Sequence, residues 1–195
     1  MSVHSGPVNV WRAEISGGNF KQLATGKQDN FPVCSSQGSW VYYLEGGESK
    51  LMKVPLEGGA SQKVSDLPVA GWFGISADGT TAVFAMVDHA AGHIERIALV
   101  DTGTGQTRKL IPFERTRSTS MIQFSRDGKS LIYAVREKGV DNLWQQRLDG
   151  SPGKMLTAFK GEHIWDYHWS ADGNRLALVQ GHTDSDVVLM RNHEQ

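Results

Sequence analysis

The stretch Trp169-Ser170-Ala171-Asp172-Gly173, followed by the apolar run Leu176–Val179, recurs through the chain. Each copy has an apolar residue, a serine, a polar turn that ends in glycine, and then residues that favour β-strands. The other copies are Phe124-Ser125-Arg126-Asp127-Gly128, Ile75-Ser76-Ala77-Asp78-Gly79 and the more divergent Cys34-Ser35-Ser36-Gln37-Gly38. Because Ser and Asp can hydrogen-bond a tight turn and Gly accepts a positive φ, we interpret the repeat as a turn between strands.

The spacing of these copies predicts the architecture. Their turn glycines, Gly38, Gly79, Gly128 and Gly173, lie 41, 49 and 45 residues apart. A period in the forties that contains only strand patterns is typical of a four-stranded propeller blade. No stretch has apolar residues at helical spacing over ten or more positions. The sequence therefore predicts an all-β fold, a β-propeller with about four blades of four antiparallel strands.

We predict a single domain over residues 1–195 that begins part-way through a blade. Asn9–Ile15 matches Asn142–Leu148, the third strand of a later repeat, but has no first or second strand before it. The predicted units are the third and fourth strands of a split blade at 9–24, full blades at 31–65, 72–111 and 121–157, and the first three strands of a last blade at 163–191. Such a partial ring leaves strand edges open to pairing. It could close on itself, close with a second copy as a homodimer, or belong to a longer propeller, and we favour the last two.

Composition and charge exclude several kinds of partner. A net charge of −1 gives no general attraction to nucleic acid. No apolar run approaches the ~20 residues that cross a bilayer, so we predict no membrane insertion. The N-terminus lacks the pattern of a secretion signal, and the sequence does not identify a compartment. The single cysteine, Cys34, excludes an internal disulfide, and we interpret it as a small buried hydrophobe.

The repeated pattern apolar-Ser-x-Asp-Gly resembles the TolB-like β-propeller repeats over residues 9–192. The stretch 142–150 together with 169–173 particularly resembles the C-terminal propellers of bacterial receptor-type serine/threonine kinases and related regulators. That resemblance implies a sensor or protein-contact module, extracytoplasmic if it belongs to a receptor kinase. No kinase or DNA-binding segment is present, so the resemblance implies neither activity for this chain.

The richest candidate site is the stretch from Glu162 to Trp169. Strict alternation on a strand would place four of its side chains on one face: His163, Trp165, Tyr167 and Trp169. Asp166 and His168 would then be neighbours on the other face and could form an acid/base or metal half-site. The alternative, which we favour, is that His168 fills the position of Val33, Gly74 and Gln123 between the blades, with Asp166 hydrogen-bonded near the channel mouth. The candidate ligand-binding residues are His163, Trp165, Asp166, His168 and Trp72, which begins the equivalent strand of an earlier blade.

The other candidate motifs are typical of loops rather than of metal-binding or catalytic sites. Asp88, His89 and His93 have a spacing that aligns metal ligands on a helix but not in a Gly-containing hairpin. The stretch 182–186 is acidic but lacks the Gly and Glu of a calcium loop. No Gly-x-Ser-x-Gly elbow is present. We therefore predict no metal, no cofactor and no catalytic residue.

We predict a non-catalytic binding or sensor module that takes a protein or small ligand at the mouth of the propeller channel. Two alternatives stay open. One is the accessory propeller of a prolyl-oligopeptidase-like hydrolase whose catalytic domain is absent. The other is a lyase or hydrolase site at the channel mouth around Asp166 and His168.

Overall fold

The computed structural model describes residues 7–46, 49–88, 94–170 and 174–184, which form sixteen β-strands and no helix. Three sheets of four antiparallel strands follow one another along the chain, with a two-stranded sheet at either end. Within every sheet, neighbouring strands are consecutive in sequence. This confirms the predicted all-β fold, a partial β-propeller.

The strand bounds are as follows. The N-terminal sheet pairs β1 (Trp11–Arg12) with β2 (Lys21–Gln22). Blade I contains β3 (Asp29–Cys34), β4 (Trp40–Glu45), β5 (Lys50–Pro55) and β6 (Gln62–Lys63). Blade II contains β7 (Phe73–Ile75), β8 (Thr81–Asp88), β9 (Ile94–Asp101) and β10 (Thr107–Pro112). Blade III contains β11 (Arg117–Phe124), β12 (Ser130–Glu137), β13 (Val140–Arg147) and β14 (Lys154–Met155). The C-terminal sheet pairs β15 (His163–Trp169) with β16 (Leu176–Gly181), and the third strand predicted at 187–190 lies outside the described residues.

The repeated serine and aspartate build the turn between the first two strands of a blade, as the sequence predicted. In blade III the amide of Ser130 donates to Ser125 Oγ at 2.9 Å, and that hydroxyl donates to Asp127 Oδ1 at 2.6 Å. Hydrogen bonds from Ser125 and from the amide of Lys129 lower the pKa of Asp127. Gly128 completes the turn with a φ of 67°. The same bonds recur around Ser76 and Asp78 in blade II.

The cores lie between neighbouring sheets. Along β4, Tyr42 and Leu44 are buried against blade II, whereas Val41 and Tyr43 are buried against the N-terminal sheet. A strand covered on both faces needs a continuous apolar run, which explains why the residues after each turn glycine do not alternate with polar ones. Two further cores join blade II to blade III and blade III to the C-terminal sheet.

Cys34 corrects one prediction, because its side chain is exposed rather than buried. It ends β3, whose last four residues are all exposed. In the described residues the N-terminal sheet has only the two strands β1 and β2, so no first strand of a preceding blade covers this side of β3. A homodimer that closes the ring stays a prediction.

Gly74 lies where the first strand of blade II passes that of blade III. A Cβ at this position would lie 2.7 Å from the carbonyl oxygen of Ile122 and 3.1 Å from Val83 Cγ1. We expect Gly74→Ala to lower the free energy of unfolding by about 1–3 kcal/mol, because the two backbones must move apart. Gly161→Ala is the matched control, since a Cβ there meets no atom within 4 Å. Urea denaturation measures both, and equal stabilities of the two variants would contradict the close approach.

Candidate functional site

A cleft of about 570 Å³ lies between the first strands of the sheets, β3, β7, β11 and β15. We call it the inner cleft. Its walls are apolar on the side of blades I and II, with Phe31, Val33 and Trp72. On the side of blade III and the C-terminal sheet, the lining includes Gln123, Arg126 and His168. This second side, which we call the polar wall, also includes the apolar side chains of Met121, Phe124 and Trp169.

The repeat explains which side chains reach the inner cleft. Four of its lining residues precede the repeated serine by two positions: Val33, Gly74, Gln123 and His168. The residues just before the last three of them are buried between the sheets: Phe73, Ile122 and Tyr167. Successive side chains on a strand point to opposite sides, so burying one directs the next into the cleft. His168 thus has the repeat position of Val33, Gly74 and Gln123, but its side chain is exposed in the inner cleft rather than packed between the blades as predicted.

Phe31 and Trp72 form the aromatic wall. Their ring centroids are 4.6 Å apart with planes tilted by 38°. Both rings stay partly exposed, at 42% and 37%. Phe31 has a φ of 56°, which is rare for a bulky residue, and it lies in a bulge between Asn30 and Val33. The bulge turns Phe31 towards Trp72, and sequence reasoning missed Phe31, although it stands four residues before the repeated serine, as Trp72 does.

A second bulge makes the predicted alternation along β15 wrong. Ile164 pairs with Gln180 and Asp166 pairs with Val179, so Trp165 is the extra residue. As a result Ile164 and Tyr167 are both buried in the core against blade III, whereas strict alternation would separate them. Trp165 is 55% exposed.

The structure brings Asp166 and His168 together, as the sequence predicted. His168 Nε2 lies 3.4 Å from Asp166 Oδ1, and that oxygen also accepts a hydrogen bond from the amide of Tyr167 at 2.7 Å. His168 lines the inner cleft, whereas Asp166 stands beside it. The pair places a carboxylate beside an imidazole at the polar wall, and the described residues add no third metal ligand to it.

His163 and Trp165 lie outside the inner cleft. The two rings meet edge to face with centroids 6.1 Å apart. His163 Nδ1 lies 3.8 Å from Asp141 Oδ2 and is buried without a hydrogen-bond partner in the described structure. The predicted set of five residues therefore divides: Trp72 and His168 line the cleft, and Asp166 lies beside His168. His163 lies near Asp141, and Trp165 contacts His163.

Asp141 is a fully buried carboxylate that joins blade III to the C-terminal sheet. Its oxygens accept hydrogen bonds from Arg136 Nε at 2.8 Å, Arg136 Nη2 at 3.1 Å and the amide of Ile164 at 3.0 Å. Burial alone raises the pKa of Asp141, but the hydrogen bonds from Arg136 and from the amide of Ile164 outweigh it, so the pKa is lowered. Asp141 thus fixes the start of β15, the strand that carries Asp166 and His168.

The other predicted motifs form no site in the described residues. His89 and His93 lie outside them. His182 is exposed, with Nδ1 3.6 Å from Glu162 Oε1 and Nε2 3.5 Å from Asp184 Oδ2. Over the four described segments, no group of three His, Cys, Asp or Glu side chains could hold a metal ion. The same segments contain no helix that is long and apolar enough to span a membrane.

No family model and no curated protein matches the chain. Among solved structures, it is similar to TolB from Acinetobacter baumannii, with a TM-score of 0.75 and 20% identity over 91% of this chain and 44% of that one. It is also similar to an oligogalacturonate lyase in complex with manganese, with a TM-score of 0.67 and 20% identity over 93% of this chain and 55% of the lyase. A prolyl endopeptidase matches with a TM-score of 0.61 and 15% identity over 84% of this chain and 28% of that one.

These similarities show the fold, that of a TolB-type β-propeller. The chain spans about half the length of TolB and of the lyase. The proteins that share this fold include both TolB and enzymes, so the fold leaves the role of the inner cleft open.

Proposed function

We propose that the chain is a non-catalytic β-propeller binding module whose inner cleft takes a protein segment or a small-molecule ligand. The observation that carries the proposal is the cleft, whose volume of about 570 Å³ lies within the range of roughly 300–1,000 Å³ for ligand sites. All four first strands contribute to it, so its shape is set by the sheets rather than by a single loop.

The lining of the inner cleft favours a ligand with an acidic group beside a flat apolar part. Arg126 and His168 contribute basic groups, and none of the described lining residues is Asp or Glu. An acidic group on the ligand would face Arg126 and His168, while Phe31 and Trp72 offer faces for stacking.

The finer proposal is a sensor role, which the resemblance of residues 142–150 and 169–173 to receptor-kinase propellers supports. A kinase or DNA-binding segment in the same gene would favour it. The rival is an accessory propeller of a peptidase, for which the likeness to a prolyl endopeptidase is the supporting observation. A hydrolase domain with a nucleophile elbow in the same gene would favour that rival instead.

Binding to the inner cleft is tested by titrating the protein with a panel of defined probes. The panel contains short acidic peptides with one aromatic residue, their neutral amide counterparts, and oligogalacturonate as an acidic sugar. We expect at least one acidic probe to bind saturably with a stoichiometry of one in isothermal titration calorimetry. Its neutral counterpart should bind more weakly, because Arg126 and His168 attract a negatively charged group more strongly than a neutral amide. Absence of saturable binding across the panel would overturn the proposal.

A second candidate function is a lyase or hydrolase at Asp166 and His168. It is favoured by the 3.4 Å contact between the two side chains and by the likeness to the oligogalacturonate lyase. We expect the wild-type protein to leave oligogalacturonate intact, as chromatography of the incubated oligomers would show. Turnover that is lost in both Asp166→Ala and His168→Ala would favour the enzyme and contradict the non-catalytic proposal.

A further inference from the structure

A second pocket, of about 230 Å³, lies between blades I and II and shares no lining residue with the inner cleft. We call it the lysine pocket. Blade I contributes Ser39, Trp40 and Lys53, and blade II contributes Asp78 and Thr102. It lies beside the serine-containing turns of both blades, away from every candidate residue that the sequence suggested.

Lys53 is a cation at a repeat position that holds Leu99 in blade II and Gln145 in blade III. It pairs with Tyr42, and the equivalent pair in blade II is Leu99 with Val83. Leu99 is an apolar residue that is 7% exposed, and Lys53 is 9% exposed. A cation therefore occupies a position that is filled by an apolar residue in blade II and by a neutral amide in blade III.

The ammonium group of Lys53 has fewer partners than it has donors. Its Nζ donates to the carbonyl oxygen of Thr102 at 2.7 Å and lies 4.7 Å from the ring centroid of Trp40. An ammonium has three N–H donors, and the described structure gives it this one acceptor. The described residues place no carboxylate within ion-pair distance of it. A buried charge of this kind is costly unless an anion pairs with it.

The pKa of Lys53 agrees with an ammonium group that lacks a nearby negative charge. Burial lowers the pKa of the Lys53 amine, and the more distant charge of Asp101 only partly offsets that effect. An anion in the lysine pocket would favour the charged amine and raise its pKa again. The hydrogen-bonded bridge to Thr102 meanwhile holds Nζ in place at the wall of the pocket.

We propose that the lysine pocket binds a small aliphatic monocarboxylate. Its carboxylate would accept hydrogen bonds from Lys53 Nζ and from lining groups such as the Ser39 hydroxyl and the Gln37 amide. Its short hydrocarbon part would lie against the ring of Trp40. A single negative charge is preferred because Asp78, already hydrogen-bonded to Ser76 and Thr80, lines the same pocket and repels a dianion.

The test is an NMR titration of the wild-type protein with propionate, against sodium chloride at matched ionic strength. The signals to follow are the Trp40 indole N–H and the Lys53 side-chain nitrogen. We expect both to shift saturably with propionate but not with chloride, and the pKa of Lys53 to rise. Shifts that grow linearly without saturating, or that are equal with both salts, would overturn the proposal and leave Lys53 as a bridge between blades.

Two variants test whether Lys53 itself binds the propionate. Lys53→Met keeps the length of the side chain and removes the charge, so we expect its affinity for propionate to fall at least tenfold. Lys63→Met is the control, because Lys63 is exposed and pairs with Asp66 outside the pocket. Unchanged affinity in Lys53→Met would contradict the site, and the titration of the wild type decides the question if that variant does not fold.

Discussion

Replacing Asp141 with alanine is expected to lower the free energy of unfolding by about 3 kcal/mol at neutral pH. The carboxylate is fully buried, with a side-chain exposure of 0%. Its removal leaves the amide of Ile164 and the guanidinium of Arg136 without their acceptor. The start of β15 would lose its hydrogen bond to blade III. The substitution should therefore also loosen the strand that carries His168.

The contribution of Asp141 should depend on pH in a defined direction. Its folded-state pKa lies below the ordinary value of 3.8, so the stabilisation is complete above that value and is lost as the pH falls through the lower folded-state pKa. Urea denaturation at pH 7 and near pH 3 therefore should show a smaller difference between wild type and Asp141→Ala at the acidic pH. A difference that grows on acidification would contradict the charged role of Asp141.

Asp149→Ala is the matched control. Asp149 also pairs with an arginine, Arg147, but its side chain is 56% exposed. Exposed ion pairs contribute little to stability, so the free energy of unfolding of this variant should stay close to that of the wild type. Equal losses in the two variants would mean that burial of Asp141 is not what makes it stabilising.

Trp72→Ala is expected to weaken the binding of the tightest acidic probe by about tenfold or more. Trp72 provides half of the aromatic wall, and its removal also leaves Phe31 without its stacking partner. Because Trp72 is 37% exposed, the substitution should affect affinity more than folding. Calorimetric titration of the variant with the same probe gives the ratio of dissociation constants.

Trp11→Ala serves as the control for that variant. Trp11 is 57% exposed on the N-terminal sheet and does not line the inner cleft. Trp11→Ala removes the same indole group from a different surface, so its affinity for the probe should equal that of the wild type. A loss in Trp11→Ala as large as in Trp72→Ala would move the binding site away from the inner cleft.

The blades could be predicted from the sequence because their turn is a local structure. Ser125, Asp127 and Gly128 form their turn within a few residues of one another, and the same pattern recurs around Ser76 and Asp78 in blade II. The apolar runs after the glycines reflect burial on both faces of a strand, which is also visible in a single segment. Both signals depend on neighbours in sequence.

The bulges could not be predicted in the same way. The extra residues near Phe31 and at Trp165 depend on how a first strand bends against its partner strand, and period-2 alternation contains no such information. That is why Phe31 was missed and why Ile164 and Tyr167 were assigned to opposite faces. Lys53 was missed for a related reason, because its burial depends on blade II rather than on residues near it in sequence.

The six tryptophans allow a direct measurement of where a ligand binds. Each indole N–H gives one NMR signal, which Trp→Phe substitutions assign. Trp72 and Trp169 line the inner cleft, whereas the other four lie outside it: Trp11, Trp40, Trp144 and Trp165. Titration with the tightest acidic probe is predicted to shift the signals of Trp72 and Trp169 and to leave the other four in place. Shifts confined to those four would contradict the inner cleft as the binding site.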